Sequence, residues 1–199
     1  MVLNHLWGLY THPKKEWQTI GQSHEALRSS LSHILLIALI PSVCGFIASS
    51  QIGWNLGAGE PIKLTTQSAA MISVAMYVGM IAGVFALAYL VHWMAKTFGA
   101  NPTKTQAIEL AAYTSTPLFM VGLSALYPQL WFMMVVGLAG VAYSVYLLYS
   151  GVPIIMRIPE ERGFIYSSSV VTCGLVLLVA LMASSVILWS FGFAPVYTS

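Results

Sequence analysis

Polar residues line one face of a predicted helix at residues 107–126, which reads AIELAAYTSTPLFMVGLSAL. Glu109, Tyr113, Thr116 and Pro117 recur at three- and four-residue steps, so they share one side of a helix. The remainder of this stretch is apolar enough to lie inside a bilayer. A carboxylate, a phenol and a hydroxyl on a lipid-embedded helix need a protein or water neighbour. This face is therefore the candidate polar site of the chain.

His92 adds a second ionisable group at a similar depth. It lies near the end of the preceding predicted helix, and a short loop leads from there to Glu109. A carboxylate so placed is paired, protonated or hydrated. Three interpretations stay open: Glu109 favours the positive end of its own helix, lines a proton or ion path, or binds a partner or a lipid headgroup.

Pro117 interrupts the same helix. It has no backbone N–H, so the carbonyl of Tyr113 loses its helical donor. The hydroxyls of Thr114 and Thr116 can bond back to nearby carbonyls and soften the kink. Both a static packing kink and a hinge or pocket wall fit this pattern.

Few other residues suggest catalysis. No pair of the five histidines has the i, i+4 spacing of a helical metal site, and Cys44 and Cys173 both lie in apolar runs. The chain has no Asp, which excludes hydrolases that use paired aspartates. It has no nucleophile motif and no phosphate-binding loop. The sequence predicts no enzyme activity, no metal and no cofactor.

The composition is that of an integral membrane protein. The 199 residues are 58% hydrophobic and 7% charged, whereas soluble domains carry about 25% charged residues. The net charge of +2 is spread over the ends of apolar segments, which speaks against nucleic-acid binding. The bilayer is the expected partner.

Apolar segments predict an all-α, five-transmembrane-helix bundle with an N-terminal amphipathic cytosolic helix. Residues 1–30 form the N-terminal segment, where Pro13 suits a helix start and Trp17 and Ile20 share an apolar face. We expect that helix to lie on the membrane surface, to pack on cytosolic loops, or to do both. Residues 31–199 form the membrane domain, with spans at 31–50, 67–95, 107–126, 130–149 and 169–191.

Small residues mark the predicted helix-packing faces, because they let helices approach closely in lipid. We expect these contacts within one chain, with a homo-oligomer as the alternative. The residues are Gly79, Gly83, Gly137 and Gly140.

Basic residues set the expected orientation. With the N-terminus inside, seven of the eight lysines and arginines face the cytosol and only Lys63 lies outside. The C-terminus is then outside. The candidate contacts for a protein partner or lipid on the cytosolic face are Trp17, Lys14, Lys15, Arg28, Arg157 and Arg162.

Three stretches together resemble the Yip family, whose members interact with Ypt/Rab GTPases, and within it the small bacterial inner-membrane branch. They are the pre-membrane helix with Pro13 and Trp17, the sequence from Ala112 to Pro117, and Tyr149-Ser-Gly151-Val-Pro153. The second is similar to the family's Gly-Tyr-x-x-x-Pro, with Ala112 in place of the usual Gly. The order of motifs and the five-span layout match across nearly the whole chain.

The resemblance implies five transmembrane helices, a cytosolic N-terminus, the bacterial inner (plasma) membrane and no known catalysis. Eukaryotic relatives bind prenylated Rab GTPases with a longer N-terminal region. The family's motif positions fall here on Tyr113, Pro117 and Gly151, without an assigned ligand. The leading interpretation is a non-enzymatic scaffold or adaptor that binds protein partners or lipid at the cytosolic face. The alternative is a small transporter or channel with Glu109 lining its path.

Overall fold

Helices make up most of the part of the chain that the computed structural model describes, which comprises residues 4–23, 27–54 and 61–198. This confirms the all-α prediction. The described helices are α1 (Asn4–Thr11), α2 (Pro13–Ser23), α3 (Leu27–Ile47), α4 (Thr66–Met94), α5 (Lys104–Met120), α6 (Leu130–Met156) and α7 (Glu160–Leu188). Short π or 3-10 segments extend α3, α4, α5 and α7, ending at Ile52, Phe98, Leu126 and Phe193.

Four segments are long and apolar enough to cross a membrane: Leu27–Ile52, Thr66–Phe98, Leu130–Met156 and Glu160–Gly192. They cover the predicted spans at 31–50, 67–95, 130–149 and 169–191. Their outer faces carry exposed leucine, valine, methionine and aromatic side chains, as lipid-facing surfaces do. The last two helices extend past the predicted spans, so only a short turn around Arg157 joins them.

The predicted third span corresponds to α5 and its 3-10 extension, which is not among these four segments. Helix α5 is the central element of the bundle and packs against α3, α4 and α6. Residues 109–117 are all buried. A helix enclosed on every side is a core helix, and its polar side chains meet protein rather than lipid.

Local interactions explain where α5 begins and how it passes its proline. Thr103 and Gln106 form a capping box, in which Thr103 Oγ1 accepts from the Gln106 N–H and Gln106 Oε1 accepts from the Thr103 N–H. Before Pro117, the hydroxyls of Thr114 and Thr116 donate to the carbonyls of Leu110 and Ala112, at 2.6 and 3.1 Å. The hydroxyls thus bond to the backbone as the sequence predicts.

The N-terminal helices pack onto the membrane bundle. Tyr143 on α6 donates its hydroxyl to the Leu9 carbonyl at 2.7 Å, and its ring stacks on Tyr10 at 5.2 Å. Burial, together with the neighbouring Tyr143, raises the pKa of Tyr10 above its usual value. Helix α2 buries Trp17 and Ile20 completely. Helix α2 thus packs on the protein, and its partner is the long helix α6.

The predicted packing glycines divide into two pairs. A Cβ at Gly83 would lie 3.1 Å from Leu181 Cδ1, and one at Gly140 would collide with Val121. These two glycines lie at close helix contacts. A Cβ at Gly79 or Gly137 would meet no heavy atom of the described residues within 4 Å, so neither of them marks a close contact within the described chain.

At the opposite end from α2, the C-terminal tail pairs with the loop before α4. The Thr65 N–H donates to the Val196 carbonyl at 2.8 Å, and the Thr198 N–H donates to the Lys63 carbonyl at 3.0 Å. The Tyr197 ring also meets Trp54 edge-on. This pairing joins the end of α7 to the start of α4.

Candidate functional site

The polar residues of α5 meet a histidine from α3 inside the bundle. His33 Nε2 lies 2.9 Å from Thr116 Oγ1, and each residue is 1% exposed. The Thr116 hydroxyl also lies 3.1 Å from the Ala112 carbonyl, and the tautomer of His33 decides which of the two side chains donates in their hydrogen bond.

Tyr113 fills the space beside this hydrogen bond. Its ring centroid lies 4.7 Å from that of His33 and 6.3 Å from that of Trp17, which it meets edge-on. Tyr113 is 1% exposed and Trp17 is fully enclosed. Three helices therefore meet at Tyr113, and edge-to-face aromatic contacts of this kind add to the energy of burial.

Glu109 lies one turn before Tyr113 on α5 and is 3% exposed. Helices α3 and α5 run in the same direction, because His33 meets Thr116 and, further along both, Pro41 meets Gly122. Ser30, three residues before His33, therefore lies at about the depth of Tyr113, which is three residues before Thr116. Its Oγ is buried and has no hydrogen-bond partner among the described residues.

These residues form a polar cluster, defined as His33, Tyr113, Thr116, Glu109 and Ser30. It lies in the interior of a bundle whose outer surface is apolar. Its groups can hold a proton or a water molecule and can orient one another. Of the described residues, no group of three His, Cys, Asp or Glu residues could hold a metal ion.

The structure does not join His92 to this cluster by any hydrogen bond or ion pair between described residues. His92 is half-buried on α4, and its Nδ1 has no hydrogen-bond partner among the described residues. Pro117 is buried beside Thr116, and its carbonyl faces Gly140 of α6. Of the five predicted site residues, Tyr113, Thr116 and Pro117 adjoin one another, Glu109 lies one turn away and His92 lies apart.

The prediction that Trp17 contacts a partner or lipid is wrong for this conformation, because the side chain is fully enclosed. Gly151 on α6 leaves room for the Trp17 ring, because a Cβ at Gly151 would lie 2.6 Å from Trp17 Cε2 and 3.0 Å from Leu110 Cδ1. The other predicted contact residues are all exposed, namely Lys14, Lys15, Arg28, Arg157 and Arg162.

Sequence reasoning missed His33 as a site residue. Its spacing to the other histidines matches no metal-binding motif, and it lies outside the helix whose polar face predicted the site. A sufficient signal was present, since His33 falls in the predicted span at 31–50, and an ionisable residue within a span is a functional candidate by default.

The Yip1 domain model matches residues 7–181 of the chain. Over 192 residues the chain is 39% identical to the inner membrane protein YohC of Escherichia coli, covering 96% of this chain and 98% of that protein. The YohC sequence of a second Escherichia coli strain gives the same identity and coverage. No solved structure matches the chain significantly.

Proposed function

The chain belongs to the Yip1 domain family, and from this membership we propose that it is an inner-membrane scaffold that works without catalysis. It binds a protein partner or lipid headgroups through its cytosolic face. Helix α5 counts as a fifth span in this proposal, and residues 1–30 form the cytosolic segment ahead of the membrane domain at 31–199.

One observation carries this proposal: the exposed basic residues collect at one end of the bundle while the polar cluster is enclosed. Lys14 and Lys15 are exposed on α2, and Arg157 and Arg162 are exposed at the turn between α6 and α7. Helix α2 packs on α6, so both groups project from a connected surface. Exposed cations gathered on one surface suit docking of an acidic surface.

Capture from membranes tests the proposal. The full chain, affinity-tagged and crosslinked in cells, is compared with a Lys14→Gln/Lys15→Gln variant and an Arg157→Gln/Arg162→Gln variant. We expect each variant to lose most of its specific crosslinked partners or its retained anionic lipid. Lys63→Gln, which removes a lysine from the opposite end, is the matched control. An unchanged set of partners and lipids in both double variants would contradict docking at this face.

The buried carboxylate of Glu109 favours a second candidate, a small transporter or channel. A carboxylate that is 3% exposed within a membrane bundle, one turn from Tyr113, is a feature of proton and ion pathways. Proton or cation flux into proteoliposomes, with Glu109→Gln against the exposed Glu161→Gln, distinguishes the two functions. A flux that depends on Glu109 alone would replace the scaffold as the primary function.

A further inference from the structure

A second interior feature lies apart from the polar cluster, where α7 leaves the bundle. A cavity of about 420 Å³ opens between α4, α5, α6 and α7. Binding sites for small molecules commonly have volumes of about 300–1,000 Å³ and mostly apolar walls. This cavity fits that description, since it is lined by Leu, Val, Met, Phe and Gly residues and by only three residues with hydroxyl groups.

The packing of α7 explains why the cavity exists. Three hydrogen bonds hold the first turns of α7: the Ser168 hydroxyl donates to the Phe164 carbonyl and is hydrogen-bonded to the Tyr149 hydroxyl at 2.7 Å, and Tyr166 donates to the Val91 carbonyl. After Val170 no residue of α7 is fully buried. Further along, α7 approaches α4 again at Leu181, whose Cδ1 lies close to Gly83, and the cavity opens between these two contacts.

The cavity has the length of a hydrocarbon chain segment. Along α7 it extends from Val170 to Leu181, which is about 16 Å at the α-helical rise. That distance is close to half of the roughly 30 Å hydrocarbon core of a bilayer. Its residues on α4 and α6 come from the middle of those helices, between Met80 and Leu87 and between Val141 and Leu148. The cavity is thus deep within the membrane segments.

One of the three hydroxyl residues at the cavity wall has no hydrogen-bond partner among the described residues. Thr114 and Ser115 donate to carbonyls of their own helix at 2.6 and 2.7 Å. Ser144 is 8% exposed, lines the cavity, and its Oγ has no partner among the described residues. A buried hydroxyl left in this state in hydrocarbon calls for a ligand group, because orphaned polar atoms are rare and costly.

We propose that this cavity binds a membrane-soluble molecule with a hydrocarbon chain and one hydroxyl or carbonyl oxygen, which bonds to Ser144 once the buried Ser144 hydroxyl rotates toward the cavity. The hydrocarbon chain of the bound molecule replaces bilayer hydrocarbon against the walls of α4 and α7, and its oxygen forms a hydrogen bond with the Ser144 hydroxyl. The inference does not depend on the docking proposal, since the cavity is formed by the membrane helices and not by the basic surface.

The test uses the purified full chain in detergent and a long-chain alcohol that carries a photoreactive diazirine. Unlabelled 1-tetradecanol and tetradecane compete with it, and peptide mass spectrometry locates the label. We expect label on cavity residues such as Met80 and Leu178, with tetradecanol competing about three- to tenfold better than tetradecane, the range of one intramembrane hydrogen bond. Ser144→Ala should remove this preference.

Two variants fill the cavity. A Cβ at Gly174 would lie at an ordinary 3.8 Å from Leu87 Cδ1, so Gly174→Leu extends into the space without a backbone clash. Leu178→Trp fills it from the half-exposed side of α7. Both should lose the label, while Gly137→Leu, at an open position of α6 outside the cavity, should keep it.

Label that stays in place in both folded cavity-filling variants would overturn the cavity as the site. Equal competition by alcohol and alkane in the unaltered chain would overturn the role of Ser144. Melting temperatures of each variant, measured in the same detergent, identify those that are folded. Partner capture by the basic surface is unaffected by either outcome.

Discussion

At the scale of single residues, we expect the buried imidazole of His33 to contribute to the free energy of unfolding. It forms a hydrogen bond with Thr116 and packs against Tyr113, and it is 1% exposed. We expect His33→Ala to lower the free energy of unfolding by about 2 kcal/mol, from a lost hydrogen bond and a new cavity. Thermal unfolding in detergent measures the effect. Ser32→Ala, whose hydroxyl donates only within its own helix, is the control and should change little.

Gly151 and Trp17 give a paired prediction at the same scale. No Cβ fits at Gly151, because the Trp17 ring lies 2.6 Å from where it would be. We expect Gly151→Ala to destabilise the chain by about 1–3 kcal/mol through overpacking. Adding Trp17→Phe should recover part of that loss, and a double-mutant cycle would measure the coupling. Strictly additive changes in the free energy of unfolding would show that Gly151 and Trp17 are not energetically coupled.

The identities of these residues were only partly predictable from sequence. The order Tyr113, Thr116, Pro117 predicts a shared helix face, and the structure places all three in the interior. The partner of that face depends on the register of α3 against α5, and no local pattern encodes this register. Gly151 resembled a family motif position, but its role as the space for Trp17 depends on the docking of α2.

At the scale of elements, α5 depends on its start signal, because its interior offers little helix preference. Its Thr-Ser-Thr-Pro stretch is a weak helix former, and the capping box at Thr103 fixes its beginning. We expect Thr103→Ala to cost about 1 kcal/mol of stability. Thr103→Ser keeps the hydroxyl and should restore most of it. A loss that serine fails to restore would assign the effect to the methyl group instead of the cap.

The same scale shows why α5 was the hardest element to classify. Sequence periodicity placed a helix at 107–126, and the structure has α5 and its extension at that position. Its apolar character is lower than that of the four candidate spans, since its neighbours, and not lipid, surround it. Hydropathy detects helices that face lipid, so an enclosed helix with satisfied hydroxyls gives a weaker signal.

At the scale of the whole molecule, the pairing of the C-terminal tail joins two helices that are otherwise far apart in sequence. The backbone bonds from Thr65 to Val196 and from Thr198 to Lys63 connect the loop before α4 to the end of α7. Removing residues 195–199 should increase amide exchange at Thr65, whose N–H donates to Val196, while leaving α5 unchanged. Exchange that also rises across α5 would mean that the tail stabilises the entire bundle.

Orientation is the remaining property of the whole molecule, and it determines which surface a partner meets. Lys14, Lys15, Arg157 and Arg162 are exposed at the end of the bundle that carries α2, while Lys63 lies at the other. Because basic segments remain in the cytosol, we expect a C-terminal alkaline phosphatase fusion to be active and an N-terminal one inactive. This enzyme needs disulfides, which form outside the cytosol. A chain truncated after Met156 ends on the α2 side and should make its C-terminal fusion inactive. Activity in the truncated fusion and not in the full-length one would reverse the orientation and move the basic surface outside the cell.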